Sequence, residues 1–370
     1  MKATLLAKID SEFRSSFTRY MPPKMAVAIY SLGRKYFLSQ LKYEIPNQTI
    51  IPPEDMSRTL WNIKFRSPIM NAAGMFKEGD CYEMVAKQGA GAYLGGTSTW
   101  NPCNGNKKNG IYLPFVPYSK SGSSSNFIGL PNKGDTVISQ KVSKIKKISD
   151  TPLGWSVMAS PDLEGETQYK GLVNGMKYYD DAGVDFIEWN ISCPNVSHRR
   201  SESLEEQMSY VETEYLKKRQ STIPIIIKIQ NDKTIKELPY LLDLMFSKGF
   251  CGINIGNTSI QYNEIRDKIH PDERKLFDYY TKTFGGGVSG RPLKEKSLEL
   301  SARAVDYLKA GGPTQEFHVI RTGGIENWND IMNSERVGVK LNQWFTGYFE
   351  DFSKYGHDVY KKLYDSRIVK

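Results

Sequence analysis

The stretch DFIEWNIS, residues 185–192, shows the pattern that decides the fold: a short apolar run ends in Asn and Ser, and polar sequence follows. Seven more stretches repeat it, namely PIMNAAG (68–74), GAYLGGTST (91–99), LGWSVMA (153–159), PIIIKIQ (224–230), GINIGNT (252–258), FHVIRTGG (317–324) and LNQWFTG (341–347). Helical stretches lie between them, and strands that alternate with helices predict right-handed crossovers and a parallel sheet. Eight such strands predict an α/β fold, a closed (β/α)8 TIM barrel.

The composition agrees with one such domain over most of the chain. The 370 residues are 39% hydrophobic and 25% charged, as in a soluble barrel with additions. No apolar run approaches the ~20 residues that span a bilayer, and we predict no signal peptide. The four cysteines are far apart and form no CxxC pair, so we predict no metal site and a reducing, cytoplasmic location.

The net charge of +9 comes from scattered basic residues, without an arginine-rich arm. This distribution favours a solvated surface over nucleic-acid binding. It also suits an anionic substrate or an acidic membrane surface.

Residues 1–55 differ from the rest and are interpreted as a helical extension that precedes a barrel domain at 56–370. MAVAIYSLGRKYFLSQLKY (25–43) mixes apolar, aromatic and basic residues at helical spacing, and PNQTIIPPED ends the pattern. We predict one or two helices packed outside the barrel. Two interpretations are open: an ordinary capping helix, or an interfacial helix in peripheral contact with a membrane.

Three polar excursions interrupt the barrel rhythm. Residues 103–135 are rich in Gly, Ser, Asn and Pro, which predicts an insertion or hairpin over the C-terminal face of the barrel. Residues 197–210 are predicted to form a lid over that face, and residues 260–285 form the third excursion.

The string NISCPN (190–195) carries the most chemical information. It follows the apolar run DFIEW, so Cys193 is expected at the carboxyl end of a strand, between Asn190 and Asn195. A thiolate can take a proton or attack carbon, and the two amides suit a planar ring that bears carbonyl and N–H groups. From the residues alone a structural turn is an equally open interpretation.

Other strand ends and loops carry similar groups. Asn257 and Thr258 follow GINI, and Asn126 lies in the glycine-rich excursion. Lys228 lies within the apolar run PIIIKIQ, where a buried cation needs a partner. That partner is either the electron-rich edge of a flavin or an acidic side chain.

The last two strand ends suggest a phosphate site. Gly323 and Gly324 end one apolar run, and Phe345 and Thr346 end the next. Backbone N–H groups at such helix starts bind phosphate, and the last two βα loops are the usual phosphate site of a barrel. GGGVSGRPL (285–293) adds Ser289 and Gly290, which permit a close backbone approach to a ligand.

Together these strings resemble the dihydroorotate dehydrogenase family over residues 60–355. NISCPN is similar to the family's N-[LIV]-S-[CS]-P-N signature, and NAAGMFKEG to its AAGFDK-type segment. FIGLPN resembles its substrate loop, and GGVSGRPL and TGGI resemble its flavin loops. The resemblance implies an FMN flavoprotein that oxidises dihydroorotate to orotate in pyrimidine biosynthesis, and it suggests a homodimer.

The resemblance also implies individual roles. Cys193 is the expected base at C5 of dihydroorotate, while a hydride leaves C6 for the flavin. The expected substrate-binding residues are Lys77, Asn126, Gly129, Leu130, Asn190, Asn195, Asn257 and Thr258. The flavin is expected to contact Ala72, Ala73, Gly74, Lys77, Gly96, Thr97, Asn126, Asn190 and Lys228, with its phosphate held by Ser289, Gly290, Gly323, Gly324, Phe345 and Thr346.

The features that distinguish the family's classes conflict. A cysteine base resembles the soluble class 1 enzymes, whereas the leader, the lysine of NAAGMFKEG and the SGRPL string resemble the membrane-associated class 2. The expected electron acceptor is therefore fumarate or quinone, with NAD through a partner flavoprotein also open.

Three other functions compete with this interpretation. One is another dihydropyrimidine oxidoreductase that resembles the pyrimidine-reducing domain of dihydropyrimidine dehydrogenase. A second is a barrel that binds flavin or phosphate without turnover. The third is an aldolase in which Lys228 forms a Schiff base.

Overall fold

The computed structural model describes residues 1–192, 204–313 and 315–367. Its central sheet has eight parallel strands, which fall within the eight stretches singled out above. They are β1 Ile69–Asn71, β2 Tyr93–Thr99, β3 Leu153–Met158, β4 Phe186–Asn190, β5 Ile225–Ile229, β6 Gly252–Ile255, β7 His318–Thr322 and β8 Leu341–Trp344.

The strands form a barrel in the order β1–β8–β7–β6–β5–β4–β3–β2. Hydrogen bonds between β1 and β2 complete the ring. The N–H of Gly91 donates to the Ile69 carbonyl at 2.8 Å, and the Asn71 side-chain amide donates to the Leu94 carbonyl at 2.7 Å. The predicted (β/α)8 barrel is therefore confirmed.

The barrel interior changes from apolar to polar toward the carboxyl ends of the strands. Side chains alternate between the two faces of a strand, so Phe186, Glu188 and Asn190 of β4 share one face. Phe186 belongs to an apolar layer that is sealed from below by Leu60 and Phe65. Glu188 and Asn190, further along the strand, are buried polar residues. Such a polar end is where barrel enzymes carry their active sites.

Helices follow the strands and pack around the barrel. They are α3 Tyr82–Lys87, α4 Asp135–Val142, α5 Gly165–Asp181, α6 Leu204–Val211, α7 Leu238–Ser247, α8 Tyr262–Asp267, α9 Pro271–Thr283, α10 Lys294–Gly311, α11 Trp328–Arg336, α12 Thr346–Tyr355 and α13 Val359–Asp365. Local sequence fixes some of their ends. The Asn327 side chain accepts from the Asp330 N–H at 3.2 Å and caps α11.

Two helices form the predicted extension, α1 Ala3–Tyr20 and α2 Pro23–Leu41. They lie against the barrel: Arg14 of α1 pairs with Glu350 of α12, and the Phe115 N–H donates to Ser31 of α2 at 3.0 Å. Within the described ranges, no helix has both the length and the hydrophobicity needed to cross a membrane.

The first excursion contributes an antiparallel sheet at the carboxyl end of the barrel. Phe115–Tyr118 pairs with Ser123–Asn126, which in turn pairs with Gly287–Gly290. The third excursion forms α8 and α9. The predicted lid at 197–210 begins outside the described residues, and α6 starts within it at Leu204.

Candidate active site

A cavity opens at the carboxyl ends of the barrel strands. We call it the amide cavity. It contains almost every predicted site residue that the structure describes. These are Ala72, Ala73, Gly74, Lys77, Thr97, Asn126, Gly129, Leu130, Asn190, Lys228, Asn257, Thr258, Ser289, Gly290, Gly323, Gly324, Phe345 and Thr346.

Three predicted residues are not in that set. Gly96 does not line the cavity. Its backbone joins β2 to the loop after β1, because the Gly96 carbonyl accepts from the Gly74 N–H at 2.7 Å. A side chain at Gly96 would come within 2.2 Å of the Ser156 carbonyl oxygen. Cys193 and Asn195 lie outside the described residues, so their expected roles stay predictions.

One side of the amide cavity is a set of mutually oriented amides. The Asn257 side-chain N–H2 donates to the Asn190 side-chain oxygen at 3.2 Å and to the Ser192 carbonyl at 2.8 Å. The Asn257 side-chain oxygen accepts from the Thr258 N–H at 2.9 Å. Because these bonds fix the amide planes, the side chains meet a ligand already oriented, which lowers the entropy lost on binding.

Another part of the cavity wall is built from two loops that precede helices. Thr346 begins α12, and Gly323 and Gly324 follow β7. The backbones approach closely: a side chain at Gly347 would lie 2.3 Å from the Ile325 carbonyl oxygen. Gly324, with φ +73, has a backbone conformation that L residues rarely adopt. N–H groups at a helix start and in such loops suit an anion.

Buried polar side chains hold this loop in place. The Ser297 hydroxyl donates to the Gly323 carbonyl at 2.7 Å and accepts from Arg321 Nε at 2.9 Å. Arg321 is fully buried, and desolvation lowers its pKa to about 10. The Ser289 hydroxyl contacts Thr346 Oγ1 at 2.9 Å and so joins the second loop to the sheet above the barrel.

Lys228 lies on the cavity floor and forms an ion pair with Glu188. Its Nζ is 3.4 Å from Glu188 Oε1, and both side chains are almost completely buried. The acidic partner and the flavin partner predicted for Lys228 are therefore compatible. Glu188 lies on one side of the ammonium group, and the cavity lies on the other.

A second cavity, which we call the helix cavity, lies between α1, α2 and α12. Its wall is mainly apolar and aromatic, with Leu6, Ile29, Phe37 and Phe349 among its lining residues. It shares with the amide cavity a wall made of Arg34, Phe115, Ser124, Phe345 and Thr346.

The helix cavity also has a charged corner. Arg14, which is buried, donates to Asp10 at 2.7 Å and to Glu350 at 2.5 Å. Burial raises the pKa of Glu350, although Arg14 opposes the rise. Arg34 is half-buried near Phe115, and desolvation lowers its pKa to about 10.

A sequence model of the family described as "Dihydroorotate dehydrogenase" matches residues 55–366. The chain belongs to the dihydroorotate dehydrogenase family. The predicted family, and with it the prediction of a dihydroorotate dehydrogenase, is confirmed.

Curated relatives in this family agree with the assignment. The chain is 26% identical to a protein from Cyanothece sp. named dihydroorotate dehydrogenase (quinone), over 83% of this chain and 79% of the relative. It is 28% identical to a protein of the same name from Aeromonas hydrophila, over 78% of this chain and 82% of the relative.

Solved structures agree on the fold. Dihydroorotate dehydrogenase from Eimeria tenella, crystallised in complex with ferulenol, superposes with a TM-score of 0.73 at 20% identity, over 95% of this chain and 92% of that chain. The ligand-free form gives a TM-score of 0.72 at 20% identity, over 94% of each chain.

Several residues of the amide cavity's wall are absent from the predicted site residues. Thr322 and Gln343 line it and end β7 and β8 within stretches already singled out, so the strand-end rule could have identified them. Glu188, which lies beneath the cavity and does not line it, was also recognisable as an acid inside an apolar run. Arg34 gave no such signal, because its position depends on how α2 packs on the barrel.

Proposed function

We propose that the protein binds FMN in the amide cavity and there oxidises dihydroorotate to orotate, a reaction of pyrimidine biosynthesis. Cys193 is the proposed base. The observation that supports this most is the convergence of separately predicted strand ends on one cavity, whose wall includes both oriented amides and loops suited to an anion. The ring N–H and carbonyl groups of dihydroorotate match the amides, and the phosphate of FMN matches the anion-binding loops.

The loops at Gly323–Gly324 and Phe345–Thr346, with Ser289, would hold the FMN phosphate. Their fit is supported by the close backbone approach at Gly324 and Gly347, which leaves N–H groups rather than side chains at the cavity wall. Ala72, Ala73 and Gly74 offer a small-residue surface for the flat ring. When bound, FMN supplies a two-electron acceptor for the desaturation of a carbon–carbon bond.

Asn126, Asn190, Asn257 and Thr258 would hold the pyrimidine ring, and Lys77 would balance the charge of its carboxylate. Fixing the ring between these groups positions its proton for a base in the segment that follows Ser192. A positioned thiolate at Cys193 would take that proton.

The proposed electron acceptor is a quinone that occupies the helix cavity. The apolar wall of that cavity suits a hydrophobic ring, whereas fumarate, a dianion, would lose its hydration beside Asp10 and Glu350. The shared wall at Phe345 and Thr346 would put the acceptor next to the flavin site. Relatives named dihydroorotate dehydrogenase (quinone) support the same acceptor.

The extension is proposed to touch a membrane peripherally, where such a quinone is dissolved. Exposed apolar side chains recur at every fourth position of α1, at Leu5, Ile9, Phe13 and Phe17. Exposed lysines flank them at Lys2 and Lys8. This combination is typical of helices that lie in a membrane interface. Co-flotation with anionic vesicles, abolished by Phe13→Ser with Phe17→Ser but not by Tyr240→Ser, would support it.

The test of the proposed function is anaerobic and uses the purified protein. We expect a yellow protein that releases FMN on denaturation and whose flavin absorbance is bleached rapidly by dihydroorotate. Bleaching by dihydrouracil alone would instead favour the other dihydropyrimidine oxidoreductases. A colourless protein that cannot be reconstituted with FMN would contradict the proposal.

A further inference from the structure

A carboxylate lies one residue layer beneath the floor of the amide cavity. Glu188 is 1% exposed, on β4, and does not line the cavity itself. Lys228 of β5, with which it pairs, does line the cavity. A charge pair is thus stacked under the site, with the positive member on the cavity side.

Two side-chain amides hold the carboxylate in place. Glu188 Oε2 accepts from Asn254 Nδ2 at 2.6 Å and from Gln343 Nε2 at 2.9 Å. The orientation of both amides is supported by Thr322, whose hydroxyl lies 2.8 Å from the Asn254 oxygen and 3.1 Å from the Gln343 oxygen. The carboxylate therefore has a defined orientation that does not depend on a ligand.

The other carboxylate oxygen, Oε1, faces Lys228. Among the described residues it has no hydrogen-bond partner, and Lys228 Nζ lies 3.4 Å away. A buried charge without full compensation is costly. This arrangement balances most of the charge of Lys228 before any ligand binds, and it fixes the ammonium group over the carboxylate.

We propose that Glu188 is a positioning residue that holds Lys228 under the flavin and lowers the flavin's reduction potential. The inference rests on the proposed function, because it concerns FMN in the amide cavity. A reduced flavin carries negative charge at its N1/O2 edge, which a cation stabilises. The Glu188 carboxylate offsets that stabilisation and so keeps the bound flavin ready to pass its electrons on.

The direction of each effect follows from charge. Glu188→Gln leaves Lys228 uncompensated, so the reduced flavin is favoured and the potential rises. Lys228→Gln leaves the carboxylate uncompensated and lowers the potential. The double variant has a neutral pair and returns toward the parent value. For each single variant we expect at least a tenfold change in the ratio of reduced to oxidised flavin at a fixed potential, which is about 30 mV for a two-electron couple.

The experiment is an anaerobic dye-equilibrated titration of the flavin in the parent, both single variants and the double variant. Glu273→Gln is the matched control, because Glu273 is equally buried but pairs with Ser121 outside both cavities. It should leave the potential unchanged. Glu188→Asp, which keeps the charge, should lie closer to the parent than Glu188→Gln does.

The outcomes separate the inference from the proposed function. A parent protein that cannot hold FMN would overturn both. A yellow parent whose potential is unaltered by Glu188→Gln would overturn the inference alone. If Glu188→Gln does not fold, Lys228→Gln and the double variant decide: equal potentials in these two would mean that the Glu188 charge does not reach the flavin.

Discussion

The amide cavity and the helix cavity share a wall but differ in chemistry. The first is built from strand ends, glycines and amides that a regular barrel brings together. The second is built from two added helices and α12, with apolar side chains and one buried charge cluster. The difference agrees with the proposed division of the reaction, in which a polar, anionic substrate is oxidised in one cavity and a hydrophobic acceptor is reduced in the other.

Removing the base should have the largest effect and should be confined to the amide cavity. Cys193→Ala is expected to retain FMN but to slow flavin bleaching by dihydroorotate by ~10² or more, the usual worth of a positioned base. Stopped-flow absorbance measures this rate. Cys251→Ala is the control, since that thiol is distant from both cavities and burial raises its pKa. Bleaching of Cys193→Ala at the parent rate would rule out the assigned base.

The anion-binding side of the amide cavity can be broken through its backbone. In Gly324→Ala the new Cβ would lie 2.4 Å from Lys294 Cα at φ +73, so the loop must shift. We expect FMN affinity to fall roughly 30-fold, equivalent to about 2 kcal/mol of backbone strain. Fluorescence titration of the apoprotein measures it. Gly183→Ala has a similar φ of +80 with open space around it, and its FMN affinity should not change.

The helix cavity can be filled without disturbing the other one. Gly33 of α2 lines this cavity, and a Cβ there meets nothing within 4 Å. Gly33→Leu should raise the KM for a short-chain quinone about tenfold, because it removes space worth ~1.5 kcal/mol of apolar contact. Bleaching by dihydroorotate should continue at the parent rate. Gly33→Ala, which favours the helix and adds little volume, should change the KM much less. A slower bleaching in Gly33→Leu would show that the cavities are not separate in function.

A buried acid that lines neither cavity should affect stability alone. Burial raises the pKa of Asp135 to about 6, although hydrogen bonds from Ser98 and Tyr179 oppose the rise. The folded-state pKa of Asp135 is above the unfolded value. The contribution of Asp135 to the free energy of unfolding is therefore complete below about pH 4 and is lost as the pH rises through 6. Relative to Asp135→Asn, the parent should lose up to roughly 3 kcal/mol of unfolding free energy from pH 4 to pH 8. Urea unfolding at each pH measures this free energy. The same pH dependence in the parent and in Asp135→Asn would contradict the prediction.

The two cavities also differ in how far the sequence could predict them. Consecutive strand ends of a parallel barrel meet at one face, so the order along the chain was enough to bring Asn190, Asn257 and Gly323 together. The family resemblance then named their expected ligands. The helix cavity depends on how α1 and α2 dock, through contacts such as Arg14 with Glu350 that are 336 residues apart. Helical spacing alone carries no information about that partner.

The buried charged residues inside strands could be predicted only in part, less well than the amide cavity but better than the helix cavity. Lys228 was recognised as a buried cation that needed a partner, but Glu188 became visible as that partner only when β4 and β5 were paired. The register of two strands sets which side chains meet, and a strand's own sequence does not specify its neighbour's register.

The most direct test of the division between the cavities is a double-mixing stopped-flow experiment. Dihydroorotate first bleaches the flavin anaerobically, and then a short-chain quinone, fumarate or NAD is added. We predict that the quinone restores the flavin absorbance rapidly while fumarate and NAD do not. Rapid recovery with fumarate or NAD but not with the quinone would contradict the assignment of the helix cavity to the electron acceptor.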